Sequence, residues 1–446
     1  MMRRTISRRT VLKTSSLAAA GCLLNPGRLW PMGQSPNDRL QCIGIGVGGR
    51  GAVNVNECAA AGAEFVALCD VDEKRAAATF QRFPKAKIYK DFRKALEELE
   101  NRCDAVVVST PDHTHASPSA MAMRMKKHVY CEKPLTHNVY EARLLTELAE
   151  KNNLVTQIGT QIHAGDNYRR VVEWIQAGLI GPVEEVHVWH PVRYSPGDRP
   201  KDTPPCPPTL DWDLWLGPAP YRPYHPAYVP GSWRGWWDFA NGGIGDFFCH
   251  YVDLAFWALD LKYPTHVAAE GHQPVHPESC AQWLIVRYEF TDRGQLPPVR
   301  LTWYDGGKQP PWEELDRRLA DMTGIQEPIP RQGAGVLFVG KTGMILADYG
   351  NRHLLPKKKF AEMKLPEPSI PASIGHHREW VEACKTGGKT TCHFGYSGPL
   401  TEAALLGTVS YRVGSPLEWD GPAMKATNCP QAERFLRREY RQGWTL

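Results

Sequence analysis

A glycine turn wedged between a strand and a helix constrains this chain more than any other feature. Leu40-Gln41-Cys42-Ile43-Gly44-Ile45 is strand-like, and Ala52 to Ala61 reads as a helix. Between them runs Gly46-Val47-Gly48-Gly49-Arg50-Gly51, which places Gly46, Gly48 and Gly51 at G-x-G-x-x-G spacing. Glycine there allows a tight turn, close approach of backbone to a pyrophosphate, and tight helix–strand packing. The helix start then offers unpaired N–H groups to phosphate oxygens. Alone the motif is weak, because glycine-rich turns are frequent. Context strengthens it: a second strand-like run, Phe65–Cys69, ends on Asp70, about 20 residues beyond the last motif glycine. A carboxylate there accepts hydrogen bonds from ribose hydroxyls and repels a 2′-phosphate. The plainer reading is a strand-end acid capping the next helix. Together these features point to a bound dinucleotide, NAD before NADP, with Lys74 and Arg75 close enough to keep NADP open.

The alternation continues. Helix-like segments at Glu73–Phe83 and Asp91–Glu100 separate the short Lys87–Tyr89 run from Ala105-Val106-Val107-Val108-Ser109, which is branched enough to be buried on both faces. His128–Cys131 is a further strand. Such order predicts an α/β, doubly wound Rossmann-type domain over residues 36–158. Beyond it the pattern changes. Leu154–Gly159 and Val183–Trp189 read as strands around a helix at Asn167–Ala177. Residues 191–235 are crowded with Pro, Trp and Tyr and read as a long ordered loop of the kind that carries function. Gly245–Leu259 is helical, Gln282–Phe290 and Val299–Trp303 are strands, and His376–Lys385 and Leu400–Val413 are closing helices able to pack back on the first domain. The expectation for 159–446 is an α+β domain on a mostly antiparallel open sheet.

Three segments bring chemistry to this frame. Thr110-Pro111-Asp112-His113-Thr114-His115 follows the Val106–Ser109 strand, and Glu132-Lys133-Pro134 follows Val129–Cys131. Both fall at the carboxyl ends of parallel strands, where ligands of such sheets bind. The third is Gly242-Gly243-Ile244-Gly245-Asp246, leading to His250. With the glycine turn and Asp70, this order of marks resembles the Gfo/Idh/MocA family, relatives of glucose–fructose oxidoreductase and inositol dehydrogenase. The resemblance covers nearly all of 40–260. It implies that Lys133 is catalytic, that Asp246 and His250 are its partners, and that His115 lies near the nicotinamide. It assigns Gly46, Gly48, Gly49, Arg50, Gly51, Asp70, Thr110, Pro111, Glu132 and Lys133 to the cofactor. Helical spacing independently puts Asp246, His250 and Asp253 on one face. Asp253 is a tentative substrate residue and reads better as support. Trp233 and Arg234, just before this helix, suit a sugar ring and its hydroxyls; a packed loop core explains them equally well. His113 and His115 invite a metal, but no carboxylate at ligand spacing completes one, and none is expected.

Oxidising a carbinol requires a base beside the departing hydride. Imidazole qualifies at its ordinary pKa, and a lysine does when desolvated. The expectation is that His250 exchanges the hydroxyl proton while Lys133 polarises the oxygen. Asp246 would bind substrate or orient His250.

The N-terminus differs. Arg8-Arg9 precedes the short apolar stretch Leu17–Leu24, which resembles a twin-arginine export signal within residues 1–35 and implies a periplasmic protein. Cys22 offers a lipid anchor, although Ala19 stands where such sites carry Leu. Residues 1–30 hold six basic residues and no acid, so the formal charge of +5 becomes −1 without them. That removes the argument for nucleic acid. No later apolar run is long enough to span a bilayer. The 12 cysteines show no C-x-x-C pair and are expected mostly free and buried. An exported enzyme would meet little free cofactor, so a tightly held, recycled nicotinamide is expected, acting on a sugar, polyol or glycoside. Alternatives are a redox-neutral lyase or hydrolase working through a transient ketone, and a non-catalytic binding protein. The resemblance also implies a homodimer or homotetramer formed through the open sheet face.

Overall fold

The computed structural model describes residues 39–291 and 293–446. The expected export signal and Cys22 lie outside them.

Six parallel strands form the first sheet: β1 (Leu40–Ile45), β2 (Ala63–Cys69), β3 (Lys87–Tyr89), β4 (Ala105–Val108), β5 (His128–Cys131) and β6 (Thr156–Ile158). Their spatial order is β3-β2-β1-β4-β5-β6, the doubly wound arrangement in which the chain reverses direction beside β1 and opens a crevice there. Helices α1 (Arg50–Ala60), α2 (Glu73–Arg82), α3 (Phe92–Glu98), α4 (Ala116–Arg124) and α5 (Val139–Lys151) cross between strands. All four residues of β4 are buried, so its branched side chains pack on both faces. Helix starts are locally specified: Asp72 and Asp91 cap α2 and α3, and Asn138 with Glu141 forms a capping box on α5.

The chain then builds a nine-stranded sheet. After α6 (Asp166–Gln176) come β7 (Val183–Trp189), the helix α7 (Gly242–Leu259), β8 (His266–Gly271), β9 (Leu284–Phe290) and β10 (Val299–Tyr304). Next follow α8 (Trp312–Thr323), β11 (Gly335–Gly340), β12 (Met344–Ala347) and β13 (Arg352–Leu355). The chain closes through α9 (His376–Thr386), α10 (Phe394–Val413), β14 (Leu417–Asp420) and β15 (Lys425–Ala426). The order is β13-β12-β11-β7-β10-β9-β8-β14-β15; β7 and β10 are parallel and the other paired strands antiparallel. One face packs on α6, α7 and α10 around Phe248, Phe256, Tyr288 and Trp303. The opposite face is only partly open. Helix α8 covers its β7–β11–β12 side through Leu315 and Leu319, whereas Arg287, Glu289 and Arg300 are exposed on β9 and β10.

Helix α10 corrects the expected start at Leu400. It begins six residues earlier and runs through Pro399, because Phe394 is fully buried and its N–H donates to Thr156 Oγ1 at 3.0 Å. Tertiary packing outweighs the one helical hydrogen bond that proline removes. Helix α9 lies on the first sheet, with Trp380 buried among Val55, Val107 and Tyr130. The eleven described cysteines are all unbridged and nine are buried. Among the described residues no helix is long and apolar enough to cross a membrane.

Candidate active site

One cleft of about 380 Å³ runs from the glycine turn to the start of α7. Gly46, Gly48, Arg50, Asp70, Thr110, Pro111, Glu132, Lys133, Trp233, Arg234 and His250 line it. Residues from widely separated stretches of sequence thus share a single cavity.

At one end the turn is shaped for a close ligand. Gly46 has φ 74°, and a methyl on Gly51 would lie 1.7 Å from Gly46 O, inside backbone. Gly49 and Gly51 do not line the cleft but make the turn possible. The α1 N-terminus carries no side-chain cap and no acid in its first turn, so its N–H groups remain available to an anion. These residues fit a dinucleotide pyrophosphate. Asp70 lines the cleft, but its carboxylate already accepts from Val47 N (2.8 Å), Gly48 N (2.9 Å) and Asp72 N (3.0 Å). Its first structural duty is therefore to hold the turn. Arg75 crosses the turn: a methyl on Gly49 would meet its Nη2 at 2.5 Å. Glu132 Oε1 accepts from Arg50 Nε (3.1 Å), Asn54 Nδ2 (2.9 Å) and Gln161 Nε2 (3.0 Å), which fixes the wall behind Lys133.

At the other end Lys133 Nζ donates to the Asp246 carboxylate and, at 2.8 Å, to Asp246 O. Tyr194 OH donates to Asp246 Oδ2 at 2.8 Å, and Arg234 Nε lies 3.2 Å from the same oxygen. Burial pushes the Asp246 carboxyl up, but Lys133 and Arg234 outweigh it and hold the group well below the usual range. Asp246 itself sits just behind the cleft surface, so it orders the two cations. Helix α7 is buried along nearly its whole circumference, which explains its apolar sequence around these acids. Gly243 lets it approach: a methyl there would lie 3.0 Å from Asp305 Oδ2.

Three expectations change. His250 faces the cleft as expected, but burial, then Lys133, pushes its pKa down to about 3, so the imidazole stays neutral where the sequence reading had it titrate. Its Nδ1 has no partner among the described residues. His115 does not line the cleft. It is 1% exposed and its ring nitrogens meet Pro134 O (2.8 Å) and Thr110 O (2.7 Å), tying the two strand-end loops together. Asp253, fully buried, faces away: it pairs with His163 Nδ1 at 3.0 Å and accepts from Tyr396 OH at 2.8 Å. With Cys392 these form a buried His–Asp–Cys group that lies outside the cleft lining.

The sequence reading marked residues 191–235 as a functional loop, but it named neither the residues that cover the cleft nor Trp444. Leu210, Leu214, Trp215, Val229 and Pro230 from the Trp-rich segment, and Trp444 near the chain's end, also line the cleft. The segment is stitched to the nucleotide side: Glu73 N donates to Thr209 O at 3.0 Å and Asp211 N to Val71 O at 2.8 Å. It carries its own core of Trp212, Trp215, Tyr228, Trp236 and Phe239. Arg441 Nε donates to Gly217 O (3.1 Å), and Arg93 lies 4.4 Å from the Trp444 ring centroid while bonding Gly443 O. Trp233 belongs to both readings made of it, 6% exposed in that core and lining the cleft.

Fold and cleft together define a two-domain α/β protein whose first domain binds a dinucleotide. Residues 39–160 match the oxidoreductase family's NAD-binding Rossmann fold, and residues 183–297 its C-terminal alpha/beta domain. The chain belongs to the Gfo/Idh/MocA oxidoreductase family. Among curated relatives, a glycosyl hydrolase family 109 protein of Shewanella pealeana is 30% identical over 200 residues, covering 40% of this chain and 44% of that one. Inositol 2-dehydrogenase of Salmonella typhimurium is 28% identical over 150 residues, covering 33% and 44%. The alignments thus span less than half the length of these relatives. Among solved structures, GenD2 from gentamicin A biosynthesis in complex with NAD superposes with TM-score 0.58 at 20% identity, over 88% of this chain and 100% of that one. Levoglucosan dehydrogenase in complex with NADH gives 0.55 at 17%, over 85% and 98%. At such identities the likeness is one of fold.

Proposed function

We propose that this protein is a nicotinamide-dependent oxidoreductase that interconverts a hydroxyl and a keto group on a sugar, polyol or glycoside, keeping its cofactor bound between turnovers. The observation that carries the reading is the shared cleft, with the glycine turn at one end and Lys133, Arg234 and His250 at the other. The nicotinamide, when bound, supplies the hydride acceptor. The chain supplies the grip on the reacting oxygen. Lys133, aimed by Asp246, stabilises charge growing on that oxygen, and neutral His250 hydrogen-bonds the same hydroxyl. Arg234 and the Trp233 face suit neighbouring hydroxyls and ring carbons.

Retention of the cofactor is supported by the covering segment and Trp444, which close the cleft along the Val71–Glu73 edge. It suits the export expected from Arg8-Arg9, a route that carries folded proteins. Retention and the likeness to a glycosyl hydrolase also favour a second reading: transient oxidation that assists cleavage of a glycoside with no net cofactor reduction. The test is to desalt the purified protein, read nucleotide absorbance, and challenge it with sugars, polyols, glycosides and 3-keto-glycosides. Reduced nicotinamide or an exchanged keto product supports oxidoreduction, and a cleaved glycoside with unchanged cofactor supports the second reading. Protein that binds no nucleotide and alters no compound contradicts both.

A further inference from the structure

Asp112 stands in the reacting end of the cleft with no duty in the reading above. It begins the short turn Asp112–Thr114 after β4, is 4% exposed, and lines the cavity with Lys133 and Arg234. Among the described residues no other side chain hydrogen-bonds to its carboxylate or forms an ion pair with it, and the hydrogen bond that acts on it comes from its own backbone N–H. Asp246, in the same cluster, has Lys133, Arg234 and Tyr194. A buried carboxyl left open toward a cavity is costly, and such groups cluster where a ligand completes them. Asp112 Oδ2 lies beside the first turn of α7, 3.9 Å from where a methyl on Gly245 would stand.

We propose that Asp112 is the catalytic residue that takes the hydroxyl proton as the carbinol is oxidised and returns it in the reverse direction. The proposal rests on the oxidoreductase reading. In the step, the substrate O–H bond breaks and its proton passes to an Asp112 oxygen. The carbinol C–H bond breaks, its hydrogen leaving with both electrons to the nicotinamide, and the C=O bond forms. Substrate loses two electrons and cofactor gains two.

The surroundings suit this role. The titratable groups whose charge acts on Asp112 are Lys133 and Cys131 beside β5, Arg234 from the turn before α7, Asp246 and Cys249 of α7, and Tyr194 and Cys280 from flanking loops. Burial raises the carboxyl to about 8, an effect that Arg234 and Lys133 only partly offset and Asp246 reinforces. A carboxylate with that proton affinity can hold a hydroxyl proton near neutrality, whereas His250, pushed down to about 3, holds one poorly. Because the folded pKa is raised, the contribution of Asp112 to stability is full below about 4 and is lost as pH climbs through about 8.

The experiment compares wild type with Asp112→Asn, which preserves size and burial, on the full chain with its bound nucleotide. The infrared difference between wild type and variant should show a protonated carboxylic-acid band fading with a midpoint near 8, apart from the buried Asp305 carboxyl, which burial raises to about 7 in both proteins. The variant should also lose the part of the pH-dependent stability that Asp112 contributes, retain nucleotide, and turn over about 10²–10⁴-fold more slowly. Its rate should no longer rise toward alkaline pH. A band that titrates in the ordinary carboxylate range near 4 overturns the proposal, as does a variant turning over within about threefold of wild type with the same pH profile. Wild type that oxidises no compound in the panel overturns the functional reading instead, an outcome separate from either result for Asp112.

Discussion

The floor and the roof of the cleft are made by opposite strategies. The floor consists of short loops leaving β1, β2, β4 and β5, each set by its own strand and following helix. Its key contacts are close and backbone-dominated: the Val47 and Gly48 N–H groups on Asp70, and Gly51 against Gly46 O. The roof comes from the Trp-rich segment and the final residues of the chain; apart from the backbone bonds at Thr209 and Asp211, it is held by side chains far apart in sequence. Arg93 reaches Gly443 O, and Arg441 reaches Gly217 O. Close backbone packing tolerates little change, whereas a roof of rings and guanidinium groups can loosen without dismantling the floor. The floor should therefore govern whether nucleotide binds and reacts, and the roof how long it stays.

The sharpest test of that division is Gly51→Ala. Its methyl would fall inside Gly46 O, so nucleotide binding should disappear and stability drop by more than about 3 kcal/mol, measured by calorimetric titration and thermal melting. Retained affinity would mean that the floor is not the rigid partner. Next in size, Lys133→Ala should slow turnover by about 10²–10⁴-fold while the nucleotide still co-purifies. Asp246→Asn removes the anion between Lys133 and Arg234 and should cost about 3 kcal/mol of stability. Its pH dependence has a definite sign. The Asp246 carboxyl is depressed in the fold, so its contribution is full above the ordinary value of 3.8 and fades as pH falls below it. Melting curves of wild type and variant should accordingly converge in acid. The smallest effect belongs to the roof. Trp444→Ala should speed nucleotide release about tenfold with little change in the chemical step, read by stopped-flow displacement.

The same contrast explains what the sequence made legible. Strand–turn–helix units carry local signatures, so the first sheet and the glycine turn could be placed from residue pattern, while Lys133 and the α7 acid–imidazole pair stood out through the family resemblance. Helical spacing could not say that the turn after His250 leaves the cleft, which is why Asp253 points to His163. Nor could motif position reveal that both nitrogens of His115 are occupied by backbone carbonyls. Asp112 stood in the quoted Thr110–His115 motif, yet only burial beside Lys133 and Arg234 sets it apart. Trp444 carries no local signal, since its place depends on Phe92 and Arg93 some 350 residues away. Strands β11 to β13 are four to six residues long, too short for periodicity to separate from apolar loops.

The central claim, that one cleft joins a held nicotinamide to the Lys133 ammonium, is tested most directly by a single-turnover measurement. Desalted wild type and Lys133→Ala, each with its co-purified nucleotide, are mixed with the best compound from the panel, and the near-ultraviolet band of reduced nicotinamide is followed. Wild type should show a transient or lasting band that the variant does not form, although both carry equal nucleotide. Equal reduction in both proteins would contradict the account.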